Sequence, residues 1–217
     1  MNGLRPKKFA ICHDFRYQFL YSKTHFLYEV WRKIMNKNVL VPLANGFETI
    51  EALAVVDVFR RAGITVDTAA LGEDLQVLSS HNILVTADML LSDCVGKSYD
   101  LIVLPGGLKG SENLRDSAQV VDMLKKQNQE NKLYAAICAA PALVLEHHGL
   151  LEGKKATCFP AMLDQLPADK RRNEPVVVSK NCVTGQGAGH SVAFALALLE
   201  QVAGSMPRQQ VEKTLGL

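Results

Sequence analysis

The sequence predicts an α/β fold in which a parallel β-sheet carries helices on both faces. Short apolar runs typical of buried strands alternate along the chain with longer segments of helical periodicity, and turns rich in Gly or Pro separate them. Strands joined through helices run parallel, because each helix returns the chain to the starting edge of the sheet. With 217 residues, the chain is long enough for one well-buried domain.

The first half of this pattern opens with a buried strand over residues 39–43. A helix is predicted over 48–62, where apolar residues recur three or four positions apart and Gly63 ends the element. The apolar positions of this helix are Ile50, Leu53, Ala54, Val58 and Ala62. The elements predicted next are a strand over 64–71, a hairpin over 77–85 and an apolar strand over 101–104.

The second half repeats the alternation. We predict a helix over 117–129, a strand over 133–137 that runs directly into Cys138, and a helix over 139–147. Two short strands, 176–179 and 182–184, and a strongly apolar helix over 190–202 complete the pattern.

Composition and charge exclude several classes of protein. A net charge of +2 gives no global electrostatic case for nucleic-acid binding, and no apolar run reaches the roughly 18 residues that a membrane span needs. The five cysteines are scattered, form no CxxC pair and lack metal-ligand spacing with a histidine. We therefore expect a cytoplasmic protein with free thiols and without a metal or an organic cofactor.

The chain changes character near residue 35. Residues 1–34 hold seven basic and two acidic residues and eight of the chain's fourteen aromatics. We expect a compact domain over 35–217, preceded by an N-terminal extension over 1–34. Three interpretations of the extension stay open: a start codon chosen too far upstream, a real appendage, or a targeting peptide, although it lacks the apolar core of a secretory signal.

Three segments with chemical potential fall where predicted strands end and helices begin. They are residues 46–51, the turn 105–107 and Cys138. In an open parallel sheet, ligands collect at the carboxyl ends of the strands. The topology therefore predicts that these segments meet at one site.

Cys138 is the candidate nucleophile of this site. Small neighbours, Ala136 and Ala139 among them, allow the sharp strand-to-helix turn of a nucleophile elbow. The N-terminus of the following helix would favour the thiolate. The alternative is a buried structural cysteine, which is how we interpret Cys12, Cys94, Cys158 and Cys182.

Five further residues are candidates for the same site. Glu51 could hold a proton beside the thiol, but Glu51 and Glu48 both lie in a first helical turn, where acids also serve as caps. Gly106 and Gly107 could offer backbone N–H groups to an oxyanion, or simply form a tight turn. His190 could act as a base for Cys138, or only begin a helix.

Four motifs together resemble the ThiJ/PfpI superfamily, most closely its YajL-like branch, over residues 37–215. The motifs are NGFETIEA from Asn45, DVFRRAGI from Asp57, YDLIVLPGG from Tyr99 and AAICAAP from Ala135. The resemblance implies a flavodoxin-like three-layer sandwich, related to class I glutamine amidotransferases, and a homodimer. It also implies that Cys138 is an oxidation-sensitive nucleophile, Glu51 its protonated partner, and Gly106, Gly107 and Ala139 the oxyanion and substrate-binding residues.

By this resemblance we expect a cysteine-dependent deglycase of methylglyoxal- or glyoxal-modified proteins and nucleotides, or a cofactor-independent glyoxalase that releases lactate or glycolate. One alternative is a chaperone that senses oxidative stress without turnover. A less favoured alternative is an amidase with Cys138 and His190 as nucleophile and base.

The chain also departs from the family. Ala139 stands where the protease branch has His, Phe159 where some relatives have His, and residues 187–190 read Gly-Ala-Gly-His instead of Gly-Pro-Gly-Thr. These changes leave the preferred substrate open. We expect Glu48 and His190 as possible walls of the pocket.

Overall fold

A computed structural model describes residues 36–217 of the protein. The predicted extension over 1–34 and Cys12 lie outside the described residues. None of the helices in the described part has the length and apolarity needed to cross a bilayer.

A β-sheet forms the centre of the fold. The strands of the described chain are β1 (Asn38–Leu43), β2 (Thr65–Ala70), β3 (Gln76–Leu78), β4 (Leu84–Thr86), β5 (Met89–Leu90), β6 (Leu101–Leu104), β7 (Leu133–Ile137), β8 (Val176–Ser179) and β9 (Cys182–Gly185). Seven of them form the central sheet, in the order β5-β2-β1-β6-β7-β9-β8. All neighbouring strands pair in parallel except β8, which runs antiparallel to β9. A separate antiparallel hairpin is formed by β3 and β4.

Helices flank this sheet. The α-helices are α1 (Thr49–Arg61), α2 (Leu108–Asp116), α3 (Ala118–Gln129), α4 (Ser191–Ala203) and α5 (Ser205–Leu215). In one group, α4 packs against both α1 and α5. In the other, α2 packs against α3 and against a π-helical segment, Pro141–Glu146. Short 3-10 helices cover Leu91–Cys94, Pro160–Gln165 and Ala188–His190.

The two central strands β6 and β7 are almost entirely buried. Every residue of β6 and four of the five in β7 are buried, as expected for parallel strands covered on both faces. The predicted α/β class with a mostly parallel sheet is therefore confirmed. The boundaries of β6 and β7 match the prediction to the residue.

The predicted apolar face of the first helix is wrong in part. Val58 is buried as expected, but Ile50 and Leu53 are 58% and 38% exposed, and Val55, Val56 and Phe59 are buried instead. The helix is apolar around most of its circumference, so periodicity alone could not choose the face that meets the sheet.

The helices α2 and α5 and the strand β5 escaped the sequence prediction. The two helices contain few apolar residues, and the strand has only two residues. The helix expected over 139–147 is present in part, as the six-residue π-helix Pro141–Glu146.

Candidate active site

The carboxyl ends of β1, β6 and β7 meet at one edge of the sheet. These strands are adjacent and parallel, and they lead into the first turn of α1, the turn at Gly106 and Cys138, respectively. The structure therefore brings together the three segments that topology predicted would meet.

Cys138 sits on a strained backbone turn. Its φ of 64° lies in the left-handed region, which costs a non-glycine residue roughly 1–2 kcal/mol. Its N–H donates to the Gly185 carbonyl at 3.0 Å, which ties the turn to the end of β9. Of the four described cysteines, all free, only Cys138 is partly exposed, and Cys94, Cys158 and Cys182 are buried as expected.

Gly106 lies against both Cys138 and Glu51. A Cβ added to Gly106 would lie 2.5 Å from Oε2 of Glu51 and 2.6 Å from Cβ of Cys138. Both distances are shorter than van der Waals contact, so only glycine leaves room for the two side chains at this point.

Glu51 is a buried carboxyl whose two oxygens differ in their surroundings. The residue is 1% exposed, and its Oε2 accepts a hydrogen bond from the Gly106 N–H at 2.8 Å. Its Oε1 is buried and has no hydrogen-bond partner among the described residues. Burial is the main cause that raises the pKa of Glu51 from its ordinary value of 4.5 to about 7, and the neighbouring Cys138 thiol and Gly106 N–H act in the opposite direction.

Glu48 has a structural role. It is the N-cap of α1, and its Oε2 accepts a hydrogen bond from the Glu51 N–H at 2.8 Å. The capping alternative therefore holds for Glu48 and leaves the Glu51 side chain free to point toward the thiol.

The local backbone favours the thiolate as expected, but other causes outweigh it and the pKa of Cys138 is raised. Burial, followed by the charge of Glu51, raises the pKa of Cys138. The Gly107 and Ala139 N–H groups act in the opposite direction. Because the charge of Glu51 disappears on protonation, a proton on Glu51 favours the thiolate of Cys138.

The proposed oxyanion donors need a correction. The Gly106 N–H already donates to Glu51 and is not available to a substrate oxygen. The Gly107 and Ala139 N–H groups face the sulfur instead. Gly107 has a φ of 83°, so its backbone turns sharply next to the thiol.

The remaining candidates lie around the turn that follows β9. His190 is half-buried, is the N-cap residue of α4 and donates its backbone N–H to the Gly187 carbonyl at 2.8 Å. The hydrogen bonds of residues 36–217 include none between His190 and Cys138, so the geometry gives no support to a Cys138–His190 pair.

Gly187 was not singled out from the sequence as a site residue. A Cβ built on it would lie 4.0 Å from Sγ of Cys138 and 3.9 Å from Oε1 of Glu51. Its position after β9, the neighbour of β7, is the signal that could have identified it.

Within residues 36–217, no three His, Cys, Asp or Glu side chains come together in an arrangement that could hold a metal ion.

Comparison with known proteins relates this geometry to a family. Over 193 residues the chain is 46% identical to protein DJ-1 homolog B of Arabidopsis thaliana, covering 89% of this chain but 44% of the plant protein. It is 32% identical to the glutathione-independent glyoxalase DJ-1 of Schizosaccharomyces pombe, covering 81% of this chain and 96% of that protein. The chain thus spans less than half the length of its plant relative.

A solved structure agrees with the same assignment. The structure of oxidized Toxoplasma gondii DJ-1 superposes with a TM-score of 0.81 at 42% identity, over 82% of this chain and 97% of that one. The profile of the DJ-1/PfpI family matches residues 37–201. The chain therefore belongs to the DJ-1/PfpI family.

Proposed function

We propose that the protein is a cysteine-dependent enzyme acting on methylglyoxal and glyoxal, either free or attached to amines and thiols. The observation that carries the proposal is the pair formed by the partly exposed Cys138 thiol and the buried Glu51 carboxyl, which both lie against Gly106. The name of the S. pombe relative, a glutathione-independent glyoxalase, supports the same class of substrate.

In the first step, the Cys138 thiolate attacks the aldehyde carbon of methylglyoxal. A C–S bond forms, and the carbonyl electron pair moves to the oxygen. The N–H groups of Gly107 and Ala139, which face the sulfur, stabilise this oxyanion. Glu51, protonated at its raised pKa, supplies the proton that completes the hemithioacetal.

The second step is a proton transfer between adjacent carbons. Glu51, now a carboxylate, removes the proton from the former aldehyde carbon, giving an enediolate, and returns it to the former ketone carbon, while the hydroxyl proton moves from the oxygen of the first carbon to the oxygen of the second. The first carbon is thereby oxidised to a thioester while the second is reduced to an alcohol. Water then cleaves the C–S bond and releases lactate, or glycolate when glyoxal is the substrate.

Glycated amines enter the same sequence at its first intermediate. The thiolate displaces the amine from the hemiaminal carbon, so a C–S bond replaces the C–N bond. The departing amine takes its proton from Glu51. Repair of the amine and conversion of the dicarbonyl therefore require the same two side chains.

The deciding experiment measures methylglyoxal loss and lactate release by the full chain, with Cys138→Ser and Glu51→Gln alongside. We expect turnover that disappears in Cys138→Ser and falls by at least about a hundredfold in Glu51→Gln, the scale typical of general acid–base catalysis. Cys94→Ala, at a buried cysteine in the 3-10 helix that follows β5, is the matched control and should retain activity. Full activity in Cys138→Ser would overturn the proposal.

A second assay separates the two activities. Hemiaminal adducts release methylglyoxal spontaneously, so an enzyme that consumes only the free aldehyde cannot clear an adduct faster than that release. Loss of an adduct of N-acetyl-arginine faster than its spontaneous dissociation indicates a deglycase. Loss at the spontaneous rate indicates a glyoxalase.

A redox-sensing chaperone is the second candidate. It is favoured by Cys138 being the one partly exposed thiol among the described cysteines, because oxidation to sulfenic or sulfinic acid follows thiol access. This candidate predicts protection of client proteins that depends on oxidation of Cys138, without turnover of dicarbonyls.

Several finer assignments belong to the same proposal. They are membership of the YajL-like branch, a cytoplasmic location, a domain beginning at residue 35, and a homodimer. Exposed Ile50 and Leu53 on α1 offer an apolar surface that a second copy could cover.

A further inference from the structure

A methyl-sized space opens at Gly187, beside the reactive pair. A Cβ placed on Gly187 would lie 3.5 Å from Cδ2 of Phe159, 3.9 Å from Oε1 of Glu51 and 4.0 Å from Sγ of Cys138. The ring edge, the carboxyl oxygen and the sulfur therefore all border one point, and each stands at ordinary van der Waals distance from it.

The backbone does not require glycine at this position. Gly187 has φ 161° and ψ −172°, an extended conformation that any residue adopts. The absence of a side chain instead keeps the space between Cys138 and Glu51 open.

Phe159 forms the apolar wall of this space. Its backbone N–H donates to the Cys138 carbonyl at 2.7 Å, which fixes the root of the side chain beside the nucleophile. The ring is nevertheless 44% exposed, so part of its apolar face is free to contact another molecule.

The opposite wall carries an unused hydrogen-bonding atom. Oε1 of Glu51 is buried and has no hydrogen-bond partner in the described part of the chain, although buried polar atoms are nearly always paired. A small ligand in the space would satisfy this oxygen with a hydroxyl group while its apolar part rests against Phe159.

We infer that the Gly187 space is the substrate subsite and that Phe159 makes the enzyme prefer α-oxoaldehydes with an apolar substituent. The assignment rests on the proposed function, and it names the substrate class. The aldehyde carbon lies at Sγ of Cys138, an oxygen of the adduct bonds to Oε1 of Glu51, and the methyl or phenyl substituent packs on the Phe159 ring. Glyoxal, which has hydrogen at this position, gains nothing from the ring.

The first test compares kcat/KM for phenylglyoxal, methylglyoxal and glyoxal in the wild type, Phe159→Leu and Phe159→Ala. We expect Phe159→Ala to lower the phenylglyoxal-to-glyoxal ratio by about tenfold, the scale of a lost apolar contact in a binding pocket. The glyoxal value itself should change by less than about twofold, and Phe159→Leu should give an intermediate ratio. An unchanged ratio, or an equal loss for all three substrates, would overturn the role of Phe159.

The second test fills the space. Because its neighbours stand at 3.5–4.0 Å, Gly187→Ala should fold with an unchanged melting temperature and lose at least about a hundredfold in kcat/KM for methylglyoxal. Gly189→Ala, whose added Cβ meets no atom within 4 Å, is the matched control for stability. Wild-type activity in Gly187→Ala would show that the substrate binds elsewhere.

A third measurement distinguishes failure of the subsite from failure of the proposed function. Alkylation of Cys138 by N-phenylmaleimide and by N-methylmaleimide, followed on the Cys138 peptide by mass spectrometry, needs no turnover. A phenyl preference that disappears in Phe159→Ala supports the subsite even if no dicarbonyl is consumed, in which case only the proposed enzyme activity fails. Dicarbonyl turnover without any effect of the Phe159 and Gly187 variants overturns the subsite alone.

Discussion

Oε2 of Glu51 accepts a hydrogen bond of 2.8 Å from the backbone N–H of Gly106, inside the protein core. This bond holds the carboxyl in place while Oε1 finds no hydrogen-bond partner among residues 36–217. It also removes one of the two glycine N–H groups from the proposed oxyanion donors. The single contact thus orients the carboxyl that we propose as the proton-transfer group and leaves Gly107 and Ala139 as the proposed oxyanion donors.

The buried carboxyl should make the protein less stable as the pH rises. Because the pKa of Glu51 is raised from 4.5 to about 7, the folded state binds more protons than the unfolded state between these values. Stability from this group is therefore present below pH 4.5 and is lost as the pH passes through 7. Glu51→Gln should gain up to about 3 kcal/mol over the wild type at pH 8 and much less at pH 5, measured by urea unfolding at both pH values.

The control for this experiment is Glu48→Gln, in the same turn of the same helix. Its carboxyl caps α1, and glutamine keeps an acceptor oxygen there. The charge of Glu48 is the smallest of the causes that act on the pKa of Glu51, so we expect this variant to gain much less stability at pH 8 than Glu51→Gln does. A gain in Glu51→Gln that is equal at pH 5 and pH 8 would contradict the assignment of the shift to burial.

The convergence of Glu51, Gly106 and Cys138 could be predicted because it depends on topology. Carboxyl ends of adjacent parallel strands share one edge of a sheet, whatever the side chains between them. The strand that ends at Ile137 and the turn at Gly106 were both evident from apolar runs cut off by small residues.

The hydrogen bonding and the pKa values of the site could not be predicted, because they depend on contacts between distant segments. Whether the Gly106 N–H is free is decided by a side chain 55 positions away. The pKa of Cys138 rises through burial by surrounding elements, whereas the sequence reveals only the local turn that would lower it. The neighbours of Gly187, likewise, come from three different parts of the chain.

Backbone strain at Cys138 predicts an unusual order of stability. At a φ of 64°, alanine carries the same left-handed penalty as cysteine, whereas glycine does not. Cys138→Gly should therefore be more stable than Cys138→Ala by about 1 kcal/mol. Both variants lack the sulfur, so the difference in their free energies of unfolding isolates the strain, and an alanine variant as stable as the glycine variant would argue against it.

Gly106 should tolerate no side chain. The Cβ of alanine would meet Oε2 of Glu51 at 2.5 Å, Cβ of Cys138 at 2.6 Å and the Ile137 carbonyl oxygen at 2.9 Å. We expect Gly106→Ala to lose about 2–3 kcal/mol of stability together with the dicarbonyl turnover. Gly189→Ala, measured in the same thermal unfolding series, should change stability by less than about 0.5 kcal/mol.

The negative charge of Glu51 should make Cys138 react more slowly with iodoacetamide in the wild type than in Glu51→Gln. At pH 8, above the pKa of about 7 for Glu51, the carboxylate raises the pKa of the thiol, and Glu51→Gln removes that effect. A fall of one pKa unit increases the thiolate fraction about tenfold but lowers its nucleophilicity about threefold, so iodoacetamide should react about three times faster. Buried Cys94 is the internal reference, and an equal or slower rate at Cys138 would mean that the charge of Glu51 does not control the thiol.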